Sequence, residues 1–564
     1  MEADFEYFFR KAPFGGAFCV FNGVWEVVRL AKNLRFEKHE LAVVRELLLA
    51  ADSSSATKID AFIAWLASVN GAMISMRAFP EGSVVFPNEP LLTLKGPIAV
   101  IHLLESALLN ALNFATLVAT KAARLVVAAG PRATVLEFGL RRAQGPGAAM
   151  LASKYAFAGG VHASSNLLAC SKYGIAPRGT QAHAFVQAFD KDDLRRLERA
   201  NVGSLESRFV KDVLYLRNAL CATDTHDGEL AAFTSYALSF PTSFIALVDT
   251  YDTLRSGVPN FCVVACALIR ACAYRGREEP LKFGLRLDSG DLGALSCSAR
   301  RVIHEIARRA ELPALESAII VASNDLDEDS ITSLGAYVPA ERFAAGHVAN
   351  DKEHSIDAFG VGTRLAACTQ QPALGGVLKL VELQQRPCFK TTDESAKATL
   401  PFRKQVYRLL SDKRAVADVI ARDAESFPQQ TISRRAGAVD ERRVVARGRE
   451  PPYAKLALLS DGGEGKNALL SDVWSAGEAR GRMRARDDTR KDMIAETDAL
   501  HASRRHAKQQ FALFPSKILR AGAHPMSAKG SNVAATPYIV ALSEDLHTLT
   551  RALVEENSRM TYIP

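Results

Sequence analysis

The nine cysteines of the 564-residue chain form no Cys-x-x-Cys pair and have no histidines beside them at zinc-ligand spacing. An odd, unpatterned set of cysteines favours reduced thiols over a disulfide framework, and it argues against a structural zinc site. Long apolar runs are also missing, because Arg270 breaks the run at 261–274 and Glu105 breaks the run after Ile101. The sequence therefore predicts no membrane-spanning helix.

The start of the chain predicts no secretory signal, and its composition predicts a globular protein. Met1–Phe5 contains no basic region followed by an apolar one, so no secretory signal is predicted and we expect a cytoplasmic location. Hydrophobic residues make up 48% of the chain and charged residues 23%. The net charge of +8 includes the basic stretch Arg480–Lys491, which lacks aromatic residues for stacking on bases. We interpret this stretch as a solvated loop, so neither nucleic acid nor a membrane is an expected partner.

The chain is too long for one core, and its apolar pattern divides it into three stretches. Residues 1–131 mix short extended runs with a helical pattern at Ile101–Ala129, which indicates an N-terminal α+β domain. Residues 132–383 alternate apolar strands with helices and form the predicted catalytic domain. Residues 384–564 lose this pattern and form a C-terminal region that is partly rich in loops.

Within the C-terminal region, order is predicted only near the end. Pro451-Pro452 and Gly462–Gly465 indicate loops, because proline and glycine clusters interrupt regular structure. A strand is predicted at Tyr538–Leu542 and a helix at Asp545–Val554.

The middle stretch predicts a barrel of parallel strands. The helical period is clearest in Leu292–Ala310, and the predicted strands are Thr134–Gly139, Ile175–Thr180, Phe244–Asp249, Lys282–Asp288, Ala318–Ser323 and Ser355–Val361. Nearly every one of these strands ends in polar, reactive or glycine residues. In a parallel barrel the carboxyl ends of the strands converge on the active site, whereas a doubly wound sheet concentrates such residues at one crevice. Six contributing strands favour the barrel.

The strand end at Gly284–Asp291 carries the largest group of candidate ligands. Arg286 could bind a carboxylate with its guanidinium fork, and Asp288 could hold ribose hydroxyls or a metal. Ser289 or Asp291 could instead only cap the following helix. Arg286 comes from a predicted buried strand and therefore needs a partner.

Three other strand ends carry further candidates. Gly360–Thr363 could cradle a phosphate with backbone N–H groups, or its glycines could serve backbone geometry alone. His183 could be a catalyst or a hydrogen-bonded core residue. Arg141 and Arg142 could bind an anion, unless one of them pairs with a carboxylate such as Glu137. Together these residues predict a barrel enzyme that handles an anionic, phosphorylated substrate, without naming that substrate.

These motifs, in this order, resemble those of the nicotinate phosphoribosyltransferase family. The resemblance runs from about residue 5 to about residue 410, with one weaker stretch beyond. It is carried by Phe8–Phe18, Glu137–Pro146, Gly179–Phe185, Val248–Gly257, Arg286–Leu292, Ser323–Asp325, Phe359–Thr363, Gln371–Val377 and, weakly, Ala535–Tyr538. It implies an irregular TIM-like α/β barrel of the type II phosphoribosyltransferase kind. An α+β domain from the N-terminal region and a divergent C-terminal region would accompany the barrel.

The resemblance also implies an activity: ATP-stimulated formation of nicotinate mononucleotide and pyrophosphate from nicotinate and phosphoribosyl pyrophosphate (PRPP). It implies that ATP phosphorylates His183 and that Thr180 and Arg286 contact nicotinate. The implied PRPP contacts are Thr363, Gly362, Asn324 and Asp288, with Arg141 and Asp249 as further site candidates. ATP is the implied co-substrate, Mg²⁺ would accompany pyrophosphate or ATP, and no residues are assigned as a metal site. The implied assembly is a homodimer.

Two departures from the family pattern keep other functions open. Family members carry a segment before the Phe-Phe-Arg stretch, with a tyrosine that stacks on the pyridine ring, and we expect the reading frame to extend upstream of Met1. The family typically reads Gly-Pro-Asp-Gly where this chain has Gly145-Pro146-Gly147-Ala148. The alternatives are a relative that uses nicotinamide and a catalytically weak homologue that acts as a binding or regulatory subunit.

Overall fold

The computed structural model describes most of the chain. The described residues are 1–200, 205–220, 223–275, 281–390, 397–411, 414–424, 444–446, 467–468, 470–475, 478–479, 489–520 and 538–558. The loops predicted at 451–452 and 462–465 lie outside these residues. Of the basic stretch Arg480–Lys491, only Thr489–Lys491 is described, and it begins a helix.

A parallel six-stranded sheet, here called the barrel sheet, forms the centre of the molecule. Its strands follow the spatial order Ala163–Ser164, Thr134–Glu137, Ala358–Val361, Ile319–Ser323, Lys282–Leu287 and Ser243–Leu247. Every pairing between neighbours is parallel. Most of these strand residues are buried, as expected for a parallel sheet that helices cover. The predicted α/β barrel class is confirmed.

One predicted strand, Ile175–Thr180, is wrong, and the two-residue strand Ala163–Ser164 was missed. The segment after Ile175 makes a single parallel bridge, between Ser164 and Pro177. Pro177 has no N–H to donate and Gly179 disfavours extended pairing, so a regular ladder cannot continue.

The same segment nevertheless spans the gap between the two edge strands. On one side, Arg178 N donates to Ser164 O over 2.9 Å. On the other side, the Gln181 amide, in the orientation that satisfies both of its groups, donates to Ile245 O over 2.8 Å and accepts from Leu247 N over 3.2 Å. A side chain thus replaces the backbone ladder, and the barrel closes irregularly.

Helices surround the barrel sheet and connect its strands. The predicted helix Leu292–Ala310 is confirmed, and the Asp291 side chain caps it by accepting from Ala294 N. The other α-helices of this part are Gly145–Ala158, Leu167–Tyr173, His183–Gln187, Asp193–Ala200, Leu205–Ala219, Asp227–Ser239, Val258–Arg275, Glu328–Ser333, Ala340–Ala344 and Thr363–Ala366. Shorter elements are the 3₁₀ turns Leu140–Arg142 and Pro313–Ser317, the π-helical turn Thr253–Gly257, and the strand pair Ala336–Tyr337 and Glu353–His354.

A seven-stranded antiparallel sheet, here called the N-terminal sheet, packs beside the barrel. Its spatial order is Arg386–Pro387, Gly376–Leu383, Glu2–Phe9, Leu92–Pro97, Ser75–Ala78, Ser471–Ser475 and Glu478–Ala479. Distant parts of the chain therefore complete it. The predicted boundaries at residues 131 and 383 stay predictions, but Gly376–Leu383, which they place with the barrel, pairs with the first strand of the chain.

The helices of the N-terminal region include the predicted long one, which extends over Ile98–Ala129. The others are Val24–Lys32, Lys38–Ala51 and Ala56–Ser68, with 3₁₀ turns at Ser53–Ser55 and Gly71–Met73 and a small strand pair, Cys19–Val20 with Val84–Val85. Two stretches, Ile98–Ala129 and Thr253–Cys272, are long and apolar enough to cross a membrane by length and composition. Both contribute buried residues to the main hydrophobic core.

A five-stranded sheet, here called the C-terminal sheet, forms the last part. Its order is Val444–Ala446, Ile539–Ser543, Arg414–Arg422, Lys404–Ser411 and Asn467–Ala468. The strand and helix predicted near the end are confirmed as Ile539–Ser543 and Glu544–Ser558, whereas the strands between residues 404 and 422 were missed. The other helices are Thr489–Leu513 and Ser516–Leu519.

The helix Thr489–Leu513 ties the C-terminal region to the barrel. Its Glu496 forms a buried ion pair with Lys154, which also pairs with Glu26, at N···O distances of 2.6 and 2.8 Å. A Cβ added to Gly82 would lie only 2.9 Å from Ala507 N. The helix therefore packs so closely against the backbone at Gly82 that a side chain would not fit there.

Candidate active site

A cavity of about 340 Å³ opens at the carboxyl ends of the barrel strands. Side chains and backbone from several strand ends form its wall. The lining residues are Phe138, Leu140, Arg141, Ser165, Gly179, Thr180, Gln181, Ala182, His183, Leu247, Arg286 and Asp288. The predicted site residues His183, Thr180, Arg286, Asp288 and Arg141 therefore lie together, where the strand-end argument expects them.

His183 begins the helix His183–Gln187, and Asp249 holds its ring in place. The distance from His183 Nε2 to Asp249 Oδ1 is 3.1 Å. The histidine side chain is 41% exposed and the aspartate 2%, so the ring faces the cavity while its partner lies behind it. Asp249 Oδ2 accepts hydrogen bonds from Asp288 N over 3.1 Å and Ser289 Oγ over 2.5 Å. One hydrogen bond orients the imidazole, and two more fix the carboxylate that accepts it.

Arg286 connects the end of its own strand with the neighbouring strand end at Ser323 and with the irregular segment at Thr180. Its Nε donates to Ser323 Oγ over 2.7 Å, its Nη1 to Thr180 Oγ1 over 3.0 Å, and its Nη2 to Asp288 Oδ1 over 2.7 Å. Ser323 Oγ also donates to Asp288 Oδ1. A guanidinium has five N–H donors, so one N–H on each terminal nitrogen remains for a ligand. Arg286 therefore has the partners that a buried arginine is expected to need. These partners leave two of its N–H groups for a ligand.

Phe138 is a lining residue that the sequence did not single out. It follows the strand Thr134–Glu137, and the Arg286 guanidinium carbon lies 5.6 Å from the centre of its ring. An aromatic face next to a guanidinium suits a flat aromatic ring that carries a carboxylate. Its position at a strand end was the available signal.

Asn324, Gly362 and Thr363 do not line this cavity. They follow the neighbouring barrel strands Ile319–Ser323 and Ala358–Val361, at the same end of the barrel. Asn324 has a φ of 116°, a conformation that costs free energy for a residue with a side chain. Gly362 precedes the short helix Thr363–Ala366 and its carbonyl accepts from Ala366 N over 3.0 Å. The PRPP-binding roles of these three residues stay predictions.

Glu137 organises the turn from which the two arginines emerge. The possibility that Arg141 or Arg142 pairs with Glu137 is wrong. The buried carboxylate instead accepts from Gly139 N, from Ser153 Oγ over 2.9 Å and from Ser164 Oγ. Both arginines are exposed, and Arg141 lines the cavity.

A second buried carboxyl, Glu229, lies close enough to Asp249 for their charges to interact. Glu229 Oε2 accepts from Ser256 Oγ over 2.6 Å and from Asn260 Nδ2 over 3.0 Å. The pKa of Glu229 is raised to about 7, and burial is the largest cause. The two hydrogen bonds lower this pKa, and the negative charge of Asp249 raises it. Ser256 belongs to the π-helical turn Thr253–Gly257, a distortion often found at functional sites.

The fold and the cavity define an α/β-barrel enzyme whose site combines an aspartate-oriented histidine with a partly free arginine. A sequence model of the nicotinate phosphoribosyltransferase (NAPRTase) N-terminal domain matches residues 1–113. Nicotinate phosphoribosyltransferase 2 of Arabidopsis thaliana is 41% identical over 416 residues, which cover 72% of this chain and 70% of that protein. Nicotinate phosphoribosyltransferase of Homo sapiens is 38% identical over 438 residues, which cover 76% of each chain.

Solved structures agree with these relatives. The crystal structure of human nicotinic acid phosphoribosyltransferase matches 98% of this chain and 95% of that one, with a TM-score of 0.72 and 30% identity. A nicotinate-nucleotide pyrophosphorylase from Pyrococcus furiosus shares the fold, with a TM-score of 0.52, 19% identity and 90% coverage of each chain. The chain belongs to the nicotinate phosphoribosyltransferase family.

Proposed function

We propose that this chain transfers the phosphoribosyl group of PRPP to the ring nitrogen of nicotinate, with stimulation by ATP. The products are nicotinate mononucleotide and pyrophosphate. The observation that carries the proposal is the pairing of Arg286, with two free N–H donors, and the Phe138 ring in one cavity. The similarity to nicotinate phosphoribosyltransferases over most of the chain supports the same reaction.

Nicotinate recognition follows from the charge of this pair. The pyridine ring would lie against Phe138, and its carboxylate would accept the two remaining N–H groups of Arg286. Nicotinamide is neutral and offers only one acceptor oxygen, so it would leave part of a mostly buried guanidinium unpaired. An unpaired buried donor costs about 1 to 3 kcal/mol, which favours nicotinate over nicotinamide.

His183 is positioned to accept a phosphoryl group from ATP. In the tautomer that donates a hydrogen bond from Nε2–H to Asp249 Oδ1, the lone pair of the ring is on Nδ1. Nδ1 would attack the γ-phosphorus, an N–P bond would form, and the bond to the β-γ bridging oxygen would break to release ADP. The Asp249 carboxylate would stabilise the positive charge that develops on the ring.

The transfer step separates the anomeric carbon of PRPP from pyrophosphate and develops positive charge on the sugar. Mg²⁺ would neutralise the charge of the leaving group. The hydrogen bonds to the Asp288 carboxylate fall on Oδ1, so Oδ2 is free to hold the metal or the ribose hydroxyls. The exposed Arg141, which lines the cavity, would bind pyrophosphate oxygens there.

A homodimer would cover the apolar residues beside the cavity. Leu140, Leu167 and Leu168 are 47%, 70% and 68% exposed, and Leu140 lines the cavity itself. Large exposed leucines next to a polar site mark a protein interface. Sedimentation of the chain and of Leu167→Glu/Leu168→Glu tests this: we expect a dimer that the double variant splits. A monomeric wild type would overturn the dimer proposal.

The reaction itself is tested with purified chain, PRPP and Mg²⁺. Pyrophosphate release and mononucleotide formation are measured with nicotinate and with nicotinamide, each with and without ATP. We expect turnover with nicotinate that ATP stimulates, and little turnover with nicotinamide. A preference for nicotinamide would contradict the proposal. Binding of PRPP without any release of pyrophosphate would instead identify a binding or regulatory subunit.

A further inference from the structure

Gly360 lies in the strand Ala358–Val361, directly beside the ring of Phe138. A Cβ built on Gly360 would lie 2.5 Å from Phe138 Cδ2 and closer still to Cε2, well inside van der Waals contact. Its φ lies outside the left-handed region, so the backbone conformation does not require glycine here. The ring of Phe138 occupies the space that any side chain at position 360 would need.

The backbone of Phe138 is fixed on both sides of the ring. The Phe138 N–H donates to Val361 O over 2.8 Å. The next residue, Gly139, donates its N–H to the Glu137 carboxylate, which fixes the turn after Phe138. A Cβ on Gly362 would lie 3.3 Å from Phe138 O, so the neighbouring strand end also packs closely against this backbone. Because the main chain cannot retreat, a ring displaced from Gly360 can move only by side-chain rotation.

That rotation would carry the ring away from strand Ala358–Val361. Phe138 also lines the cavity, and the Arg286 guanidinium carbon lies 5.6 Å from its ring centroid. A displaced ring would therefore fill part of the cavity and crowd Arg286. Thr180, Ser323 and Asp288 hold Arg286 in place, so the cavity would lose depth.

We propose that Gly360 is a specificity-determining residue. Because it has no side chain, it leaves space for the Phe138 ring and so sets the depth of the pocket for the aromatic ring of the substrate. The ligand class is a flat six-membered aromatic ring with one carboxylate. Gly360 acts through Phe138 and touches no reacting atom, so it is a positioning residue. The inference rests on the proposed function, because the pocket it shapes is the one assigned to nicotinate.

The test is a double-mutant cycle on residues 138 and 360, read as KM for nicotinate, KM for PRPP and kcat. In Gly360→Ala, we expect the KM for nicotinate to rise about tenfold, within the range for one misplaced methyl-sized group in a pocket. The KM for PRPP and the hydrolysis of ATP without nicotinate should stay within about twofold, because these steps do not use the ring.

The second arm removes the ring. Phe138→Leu alone should raise the KM for nicotinate, because the aromatic face is lost. Adding Gly360→Ala to this variant should then change that KM by less than about twofold, since the smaller side chain leaves room for the methyl group. The control is Gly375→Ala, at an exposed glycine whose added Cβ would meet nothing within 4 Å, and it should behave as wild type.

The outcomes separate this inference from the proposed function. An equal penalty for Gly360→Ala in both backgrounds, or no penalty in either, would overturn the role of Gly360 while leaving the reaction intact. Wild-type chain without nicotinate-dependent pyrophosphate release would overturn the reaction first. If Gly360→Ala does not fold, Phe138→Leu is compared with Phe138→Leu/Gly360→Ala. A higher KM for nicotinate in the double variant would show that the added methyl group clashes with something other than the Phe138 ring, which would overturn the role of Gly360.

Discussion

The ion pairs Arg286–Asp288 in the barrel and Arg408–Asp418 in the C-terminal sheet have similar lengths and different surroundings. Their N···O distances are 2.7 and 2.6 Å. The side chains of the first pair are 16% and 22% exposed, and those of the second 4% and 0%. Arg408 donates twice to Asp418 and also to Gln510 Oε1 and Val84 O. The C-terminal pair therefore uses its capacity within the protein, whereas Arg286 keeps donors for a ligand.

The same kind of ion pair therefore serves two purposes in this protein. A buried, extensively hydrogen-bonded pair contributes little to stability over an apolar replacement but is costly to break. A partly exposed pair can exchange a protein partner for a substrate. Variants at each pair should separate loss of activity from loss of stability.

The largest effect is expected at Arg286. Arg286→Gln removes the charge that binds the carboxylate, and we expect kcat/KM for nicotinate to fall about a thousandfold, or about 4 kcal/mol. The free energy of unfolding, measured by urea denaturation, should change by less than about 1 kcal/mol. Arg286→Lys keeps the charge without the fork and should lie between. If Arg286→Gln lost more stability than activity, Arg286 would be a structural residue like Arg408, and its role in binding nicotinate would be contradicted.

Arg408→Met should have the opposite signature. It leaves the Asp418 carboxylate buried without its main partner, and we expect a loss of about 3 kcal/mol in the free energy of unfolding. The KM for nicotinate of the folded enzyme should be unchanged. Arg408→Met/Asp418→Leu removes both charges and should recover most of the stability; a double variant as unstable as the single one would contradict this account.

A smaller, pH-dependent effect is expected at Glu229. Burial raises the pKa of this carboxyl from 4.5 to about 7, so the native state keeps a proton that the unfolded chain releases. The resulting stability is complete below about pH 4.5 and is lost as the pH rises through about 7.

Glu229→Gln cannot ionise and should lose this dependence, with a difference from wild type of about 2 kcal/mol between pH 5 and pH 8. Denaturation at both pH values measures it, with the exposed Glu46→Gln as control. If the free energy of unfolding changed with pH equally in wild type and Glu229→Gln, folding would not raise the pKa of Glu229, and the prediction would be wrong.

The smallest effect is expected at His183, an exposed group whose partner Asp249 is buried. His183→Ala should abolish ATP stimulation and leave a slower, ATP-independent transfer, a decrease of about tenfold in kcat/KM. Initial rates with and without ATP measure it. Asp249→Asn keeps the size of the side chain and should reduce ATP stimulation only in part. Unchanged ATP coupling in His183→Ala would contradict the phosphorylation of this residue.

Sequence reasoning predicted the barrel because its signals are local. The helix Leu292–Ala310 repeats its apolar residues with the helical period, and its bounds were predicted as observed. Ala163–Ser164 is too short to show a pattern. Ile175–Thr180 has apolar and β-compatible residues, but Pro177 prevents a ladder.

The strands at 404–422 were missed because buried charges interrupt their apolar pattern. Lys404, Arg408 and Asp418 are all nearly inaccessible to solvent. Lys404 pairs with Glu6, and Arg408, besides its pair with Asp418, donates to Val84 O and Gln510 Oε1. No local pattern announces a charge whose partner lies about four hundred residues away.

The candidate site shows the same limit. The strand-end rule identified His183, Arg286 and Asp288, because parallel strands bring these positions together. It passed over Phe138, which sits among apolar neighbours like a core residue, and Glu229, whose burial is a property of the folded chain. Asn324, Gly362 and Thr363 were taken from family resemblance, and their roles await measurement.

The N-terminal sheet also dictates an order of events during synthesis. Its strand Glu2–Phe9 pairs on one side with Leu92–Pro97 and on the other with Gly376–Leu383, while Ser75–Ala78 pairs with Ser471–Ser475. The first strand therefore leaves the ribosome with one edge unpaired until several hundred more residues have been made. Contacts of such long sequence separation form slowly and expose an edge to wrong partners. The described strands of the N-terminal sheet cannot all be paired before residue 479 has been made.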